Sequence, residues 1–295
     1  MDTNALQAFL AVADSRSFSG AAEKLFLTQP AVSKRIAALE QELDSRLFDR
    51  LGKQVILTEA GRTLLPKARH IVQELADSRR LIANLSEDVS GTLQMATSHH
   101  LGLHRLPGVL RDYSLRYPQV EFDLRFTASE AASELVAAGE IELAVVTLPD
   151  TAPDKLLAEK IWDDPLSIMV NRKHPLLKSK NRLHDLQHYP AILPDPGTVT
   201  RRLIEQPLER LNVQLKIGLE TNYLETIRML VTVGLGWSVL PLTMQTRELE
   251  CLPLNEIVFK RELGIVVHTS RTLSRAAQAF KTLLVEAAGN NLSVE

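Results

Sequence analysis

Residues 17 to 43 read SFSGAAEKLFLTQPAVSKRIAALEQEL, two short helical segments joined by a tight turn. Ser17 or Ser19 is placed to cap the first helix, and the adjacent Ala21 and Ala22 let a neighbouring helix approach closely on the face shared with Phe18 and Leu25. Thr28 supplies a second N-cap, and Pro30 falls in the first turn, where a missing backbone N–H costs little. From about Gln29 onward, Val32, Ile36, Leu39 and Leu43 recur at steps of four, three and four, which predicts one buried stripe. The opposite face carries Pro30, Ser33, Lys34 and Ala37, with Gln29 at the leading end and Arg35 on a flank. A helix of this kind fits the major groove of duplex DNA. Gln29 suits a base edge, Ser33 is adaptable, and Lys34 and Arg35 suit phosphates. An ordinary pair of core helices would share the stripe, but has no need of the caps, the alanine pair and the polar leading face together.

Residues 47 to 58 predict two short strands around a turn at Leu51, Gly52, Lys53 and Gln54, a wing beside the second helix. Arg50 and Lys53 then meet the DNA backbone while Phe48, Val55 and Leu57 turn inward. Pairing of Arg50 with Asp49 is the competing reading. Basic and acidic side chains are equal in number over residues 1 to 53, so net charge gives no hint of a nucleic acid, and placement carries the inference. A module so weakly charged binds poorly as one copy.

The next segment provides for a second copy. Thr58 can cap a helix over residues 59 to 84, in which Leu64, Ala68, Ile71, Leu75, Ser78, Ile82 and Leu85 alternate steps of four and three. The spacing predicts a heptad seam shared between two chains, although a helix packed on its own domain gives the same period.

The motifs Phe18-x-x-Ala21-Ala22-x-x-Leu25, Thr28-Gln29-Pro30-Ala31-Val32-Ser33 and Leu57-Thr58-Glu59-Ala60-Gly61 resemble those of LysR-type transcriptional regulators, and the length and order of parts extend the resemblance over the whole chain. The resemblance implies an α/β chain overall: a mainly α winged helix-turn-helix, a dimerising linker helix, and a two-lobed α/β effector domain similar to periplasmic binding proteins. The domains expected are 1–58 for DNA binding, 59–88 for the linker helix and 89–295 for the effector domain, with a first lobe of about 89–162 and 268–295 and a second of about 163–267. The DNA-binding set expected is Phe18, Thr28, Gln29, Pro30, Ser33, Lys34, Arg35, Arg50 and Lys53. The implied partners are double-stranded operator DNA, a small-molecule effector and further copies of the chain, as a dimer and then a homotetramer. The implied function is regulation of transcription, not an enzymatic reaction, and no cofactor is called for.

Composition permits this plan. At 45% hydrophobic and a net charge of −2, the 295 residues hold one small module plus a two-lobed domain of about 200 residues. A single cysteine, Cys251, excludes an intrachain disulfide framework and suits a reducing compartment. Met1-Asp2-Thr3-Asn4 lacks the basic and apolar regions of a signal peptide, and no apolar run approaches the roughly 20 residues that span a bilayer, so a cytoplasmic protein with no membrane partner is expected.

Residues 86 to 91 break the helical pattern and mark a hinge between modules. Beyond it strand-like and helix-like segments alternate at 92 to 97, 105 to 117, 120 to 126, 131 to 138 and 143 to 147, which predicts an α/β fold with mainly parallel strands. An extended stretch at 157 to 170 carries the chain into a second lobe, where 190 to 193, the helix after Thr198, 214 to 220 and 223 to 233 repeat the scheme. Residues 262 to 269 return it, and a helix over 274 to 288 closes the first lobe. Two crossings make a hinged cleft.

Strand ends that feed helix starts offer free N–H groups to an anion. Thr97-Ser98-His99-His100 and Thr198-Val199-Thr200-Arg201-Arg202 stand at two such junctions in opposite lobes, and Thr147 ends a further strand. The resemblance maps Ser98, His100, Thr147, Thr198 and Thr200 onto the cleft, with Thr127, Asn222 and Arg202 beside them. Hydroxyls, imidazoles and N–H groups together favour a carboxylate or oxoanion; as plain helix caps, Ser98, Thr198 and Thr200 look the same. His100 and His104 lie one helical turn apart, as metal ligands do, but no carboxylate or cysteine in their neighbourhood completes the set, and no metal is expected at His99, His100 or His104. Ser98 lacks the Gly-x-Ser-x-Gly elbow of a hydrolase. Gly234-Leu235-Gly236 follows a helix and precedes a strand, the reverse of a dinucleotide fingerprint, which leaves Gly234 as a helix C-cap. Cys251, among leucines and glutamates, reads as structural rather than redox-sensing. The competing function is a solute-binding or metal-dependent enzymatic cleft domain with an N-terminal assembly module, and salt-dependent binding to DNA separates the two.

Overall fold

The computed structural model describes residues 1–51, 54–85, 88–254 and 256–291, and the side chains of residues 50, 51, 54, 83, 290 and 291 lie outside that description. Contacts divide the chain into two compact units, Met1–Leu85 and Ser86–Glu295.

The first unit holds α1 (Thr3–Ser15), α2 (Phe18–Lys24), α3 (Gln29–Glu42), β1 (Phe48–Leu51), β2 (Gln54–Leu57) and α4 (Glu59–Ala83). Leu6, Phe9 and Val12 of α1 pack on Ala21 and Ala22 of α2 and on Val32, Ile36 and Leu39 of α3, and the two small alanines are what allow the close approach. Ser17 caps α2, its Oγ accepting from the Gly20 N–H at 3.2 Å. Two expectations are corrected. Thr28 stands at the N-cap position of α3 with extended backbone, but its side chain makes no cap hydrogen bond. Leu43 is 38% exposed, because α3 ends at Glu42 and the stripe ends with it.

β1 and β2 form an antiparallel hairpin from Phe48↔Leu57 to Leu51↔Gln54, and Phe48 tucks its ring 5.3 Å from that of Phe9. Thr58 then caps α4: its Oγ1 accepts from the Gly61 N–H at 3.0 Å and donates to the Arg46 carbonyl at 2.6 Å. A Cβ at Gly61 would stand 2.2 Å from the Leu47 carbonyl oxygen, so the glycine is required for α4 to start against the hairpin. Along α4 the heptad positions diverge. Ala68 is fully buried and Leu64 packs on the core, whereas Ile82 and Leu85 are 70% and 82% exposed.

The second unit runs through β3 (Gly91–Thr97), α5 (His99–His104), α6 (Pro107–Arg116), β4 (Val120–Phe126), α7 (Ser129–Ala137), β5 (Leu143–Thr147), β6 (Leu156–Asn171), α8 (Arg182–Asp185), β7 (Ala191–Leu193), α9 (Val199–Arg210), β8 (Ile217–Glu220), α10 (Leu224–Thr232), β9 (Ser238–Pro241), β10 (Leu249–Leu252), β11 (Phe259–His268) and α11 (Arg275–Asn291). The helix expected over 105 to 117 is α6, and a separate short helix, α5, precedes it. α5 begins directly after β3, and Pro107 opens α6 at a position where a missing N–H is harmless.

The larger sheet has the order β10-β6-β11-β5-β3-β4, with β9 also on β6, and β7 pairs β8 separately. β3 is parallel to β4 and β5, and β7 to β8, but β11 is antiparallel to β5 and β6, and β9 and β10 are antiparallel to β6. The expectation of a mainly parallel sheet is therefore corrected to a mixed one. β6 leaves the first lobe and β11 returns to it, and two neighbouring strands that run opposite ways pair antiparallel.

Each lobe has its own core, one around Leu93, Met95, Val145 and Phe280, the other around Ile168, Leu193, Ile204 and Trp237. Leu156 of β6 belongs to the first lobe and Leu166 to the second. On β11, Phe259 packs in the second lobe while Leu263, Ile265 and Val267 pack in the first. The return crossing thus falls near Arg261, and the expected second lobe ending at 267 is too long by several residues. Gly234 closes α10 with φ +89, the left-handed residue of a helix C-terminus. Among the described residues no helix is long and apolar enough to cross a membrane.

Candidate functional site

On α3 the stripe of Val32, Ile36 and Leu39 faces the core, which leaves Gln29, Pro30, Lys34 and Ala37 exposed and Ser33 and Arg35 half-buried. Gln29 Nε2 donates to Ser33 Oγ at 2.9 Å, so the two polar groups proposed for base edges hold one another in place. No ion pair among the described residues engages Lys34 or Arg35, whereas Lys24 and Arg69 are both drawn to Asp14. Phe18 is half-buried, and its ring meets Phe48 edge-on at 6.0 Å at the margin of the core. The Arg50 side chain and Lys53 lie outside the described residues. Sequence reasoning passed over Phe26, which is 95% exposed at the turn between α2 and α3 with φ +55.

In the second unit a cavity of about 460 Å³ lies between the lobes. Its first wall is made by the ends of β3, β4 and β5 and the starts of α5 and α7; its second by the starts of α9 and α10. Ser98, His100, Thr127, Thr147, Thr198, Thr200 and Asn222 all line it. Arg202 does not: its Nη1 donates to the Gly197 carbonyl at 2.6 Å, and it borders an adjoining hollow with Ser133 and Pro149. Two residues, roughly 200° around the helix, separate these fates, since Thr200 lines the cleft and Arg202 the adjoining hollow.

The arginine that does reach the cleft is Arg261, 95% buried at the crossing of β6 and β11. Its Nε donates to Asp164 Oδ2 at 2.6 Å and its Nη1 to Thr200 Oγ1 at 3.3 Å, while Nη2 is buried with no hydrogen-bond partner. Asp164, fully buried, also attracts Arg105 at 3.5 Å. Sequence held a signal for Arg261. Phe259, Arg261 and Leu263 alternate on one face of a strand, and that face is the buried one.

Two glutamates join the lobes across the cleft, and the ring of His99 also meets that of Tyr223 at 4.8 Å. Glu130 at the start of α7 accepts from the Val199 N–H at 2.7 Å, a carboxylate on a helix N-terminus. Glu225 in the first turn of α10 reaches both histidines of α5, 3.3 Å from His100 Nδ1 and 3.0 Å from His104 Nε2. Burial, aided by the charge of Arg261, pushes the His100 pKa down to about 4, so the imidazole is neutral near pH 7. Neither glutamate had a sequence signal, because each pairs with a residue distant in the chain. The caps are mixed in use: Thr198 Oγ1 accepts from the Arg201 N–H at 3.2 Å, whereas Ser98 makes no side-chain cap bond.

A profile of bacterial regulatory helix-turn-helix proteins of the lysR family matches residues 3–62, and a profile of the LysR substrate binding domain matches residues 86–289. The chain belongs to the LysR family of transcriptional regulators. It is similar to an HTH-type transcriptional regulator of Azotobacter vinelandii, 66% identical over 107 residues that cover 36% of this chain and 74% of that protein. It is also similar to a probable RuBisCO transcriptional regulator of Trichormus variabilis, 31% identical over 93% of this chain and 85% of that protein. Among solved structures, a full-length OxyR variant of Pseudomonas aeruginosa superposes with a TM-score of 0.70 at 22% identity, over 98% of this chain and 94% of that one. As a LysR-type protein the chain is a DNA-binding transcriptional regulator with an effector-binding domain, and this family acts on transcription rather than as enzymes.

Proposed function

We propose that the cleft takes a small anionic effector, a carboxylate or oxoanion, and that its binding changes how paired chains sit on operator DNA. Arg261 carries the reading. A buried donor without a partner is costly, and an anionic oxygen would satisfy Nη2 through a charge-assisted hydrogen bond. Ser98, His100, Thr147, Thr198 and Thr200 supply the surrounding polar groups, with Thr127 and Asn222 at the margin. In the DNA-binding unit Gln29 and Ser33 read base edges, Lys34 and Arg35 meet phosphates, Thr28 and Pro30 bring the helix start to the groove, and Arg50 and Lys53 act from the wing. Chains pair through the outer half of α4 and the turn after it, where Ile82 and Leu85 stand exposed, and dimers pair into tetramers in the cytoplasm. Control is a population shift, which requires the effector to prefer one arrangement over the other.

A thermal-shift screen of carboxylates and oxoanions, run beside a salt-dependent mobility shift on upstream DNA, tests this. Ser33→Ala and Lys34→Ala should weaken DNA binding and leave the thermal response intact, with Lys34→Ala also lowering the salt slope by about one per bound chain. Thr200→Ala should spare DNA binding and blunt the thermal response. Stabilisation by neutral or cationic compounds alone would sink the anionic reading. Variants that merely lower stability in both groups would refute the division into a reading and a sensing surface.

A further inference from the structure

His100 and His104 sit one turn apart on α5 with ring centroids 4.7 Å apart, and Glu225 reaches them from the opposite lobe. The sequence offers no third ligand near the histidines; the fold brings one from 121 residues away. We propose that His100, His104 and Glu225 form a divalent transition-metal site, of the kind Zn²⁺ occupies, that clamps the two lobes together.

Three observations carry it. The donor set is chemically apt, since two imidazoles and one carboxylate with a fourth position left for water or ligand are a recurrent zinc set. The spacing is apt as well. Bonds of about 2.0–2.1 Å in a tetrahedron hold their ligand atoms roughly 3.3 Å apart. Glu225 Oε1 already lies 3.3 Å from His100 Nδ1 and 3.0 Å from His104 Nε2, and one donor atom from each residue falls within 4.8 Å of the others. The third observation is the far side of the His100 ring. Its Nε2 is buried without a hydrogen-bond partner, and His100 lines the cleft. Metal on Nδ1 fixes the ring proton on Nε2 and makes that atom a donor for an acceptor entering the cleft. The ion would therefore link closure of the lobes to the atoms that face an effector.

The other histidine and carboxylate cluster among the described residues, His184, Asp185 and His188, serves as the internal control. Both of its histidines are exposed, His184 on the short α8 and His188 in the turn after it, and all three residues lie in one lobe, so metal there would join nothing.

The test uses the full chain, stripped by a chelator and titrated with Zn²⁺ alone in equilibrium dialysis, with Co²⁺ absorption reporting tetrahedral coordination. One ion per chain and a raised thermal midpoint are expected. His104→Ala, His104→Gln and Glu225→Gln should each lower affinity by more than the roughly 10–100-fold that loss of a supporting contact costs, and should remove the midpoint shift. His104 and Glu225 are 39% and 26% exposed at the side chain, so these variants fold, which circular dichroism checks. A variant with His184→Ala and His188→Ala should bind as the parent does. Absence of saturable uptake overturns the site, as does uptake that His104→Gln and Glu225→Gln leave unchanged. The assay needs neither operator nor anionic effector, so its outcome stands apart from the reading of the cleft.

Discussion

Arg261 and Asp164 are the pair on which the hinge depends. Both are buried where β6 and β11 cross between lobes, and the Nε to Oδ2 distance is 2.6 Å. Removing one partner of such a pair costs up to about 3–5 kcal/mol, less here because Arg105 still stands 3.5 Å from Asp164, whereas replacing both with apolar groups is often close to neutral. Arg261→Leu should therefore lower the urea midpoint sharply, and adding Asp164→Leu should restore most of it. Equal losses for the single and double variants would contradict the pairing. His174 gives a second prediction at this scale. It precedes the turn Pro175–Lys178, its Nδ1 accepts from the Leu176 N–H at 3.2 Å, and burial pushes its pKa below the ordinary histidine value. The unfolded chain then takes up a proton at a pH where the folded chain does not. This contribution to stability is whole above the ordinary value of 6.5 and declines as pH falls below it. His174→Asn keeps a capping acceptor and loses the titration, so urea midpoints measured between about pH 7 and 5 should fall less steeply than in the parent. At this scale legibility was uneven. Helix starts and strand ends marked Ser98, His100, Thr147, Thr198 and Thr200, and the family resemblance added Thr127 and Asn222, while Arg261 was hidden in an alternation that was read only as a returning strand.

Periodicity told more about elements than about what they touch. The α4 heptads were legible from Leu64 to Leu85, yet spacing is identical whether a stripe meets its own domain or a second chain. Packing separates the two uses. Ala68 is enclosed by the first unit's core, and Ile82 is 70% exposed. Ala68→Asp buries an unpaired charge and should abolish cooperative unfolding of the first unit. Ile82→Asp should leave the helix intact and weaken self-association by about ten-fold or more, since burying such a side chain contributes roughly 1.5–3 kcal/mol per chain. Sedimentation equilibrium reads the second effect and circular dichroism the first. If Ile82→Asp associates as the parent does, the seam lies elsewhere. Strand direction, by contrast, was not legible. Alternating strand-like and helix-like segments say that an α/β sheet exists, and the antiparallel pairing of β11 with β6 comes from the path between lobes, which no local pattern encodes.

At the scale of the whole effector domain, closure without ligand rests on contacts that themselves resemble ligand contacts. Glu130 puts a carboxylate on the Val199 N–H at the start of α9, where an anion is favoured by the free N–H groups and the helix dipole. It is thus both a latch and a source of negative charge beside Arg261 in the same cavity. The two roles separate by substitution. Glu130→Ala removes the acceptor, and a hydrogen bond to a charged group contributes about 1.5–3 kcal/mol, so the balance should move toward the open form by roughly ten-fold or more. An effector that binds only the closed form then loses apparent affinity in proportion to the closed fraction, with its own contacts unchanged. Glu130→Gln keeps an acceptor for Val199 and deletes the charge, so closure should persist while affinity for an anion rises. Small-angle scattering follows closure and calorimetric titration with the anion found by thermal shift follows affinity. If the two variants move both readouts in the same direction, Glu130 is only a lining residue, and the lobes are held by the strands of the hinge rather than by the latch.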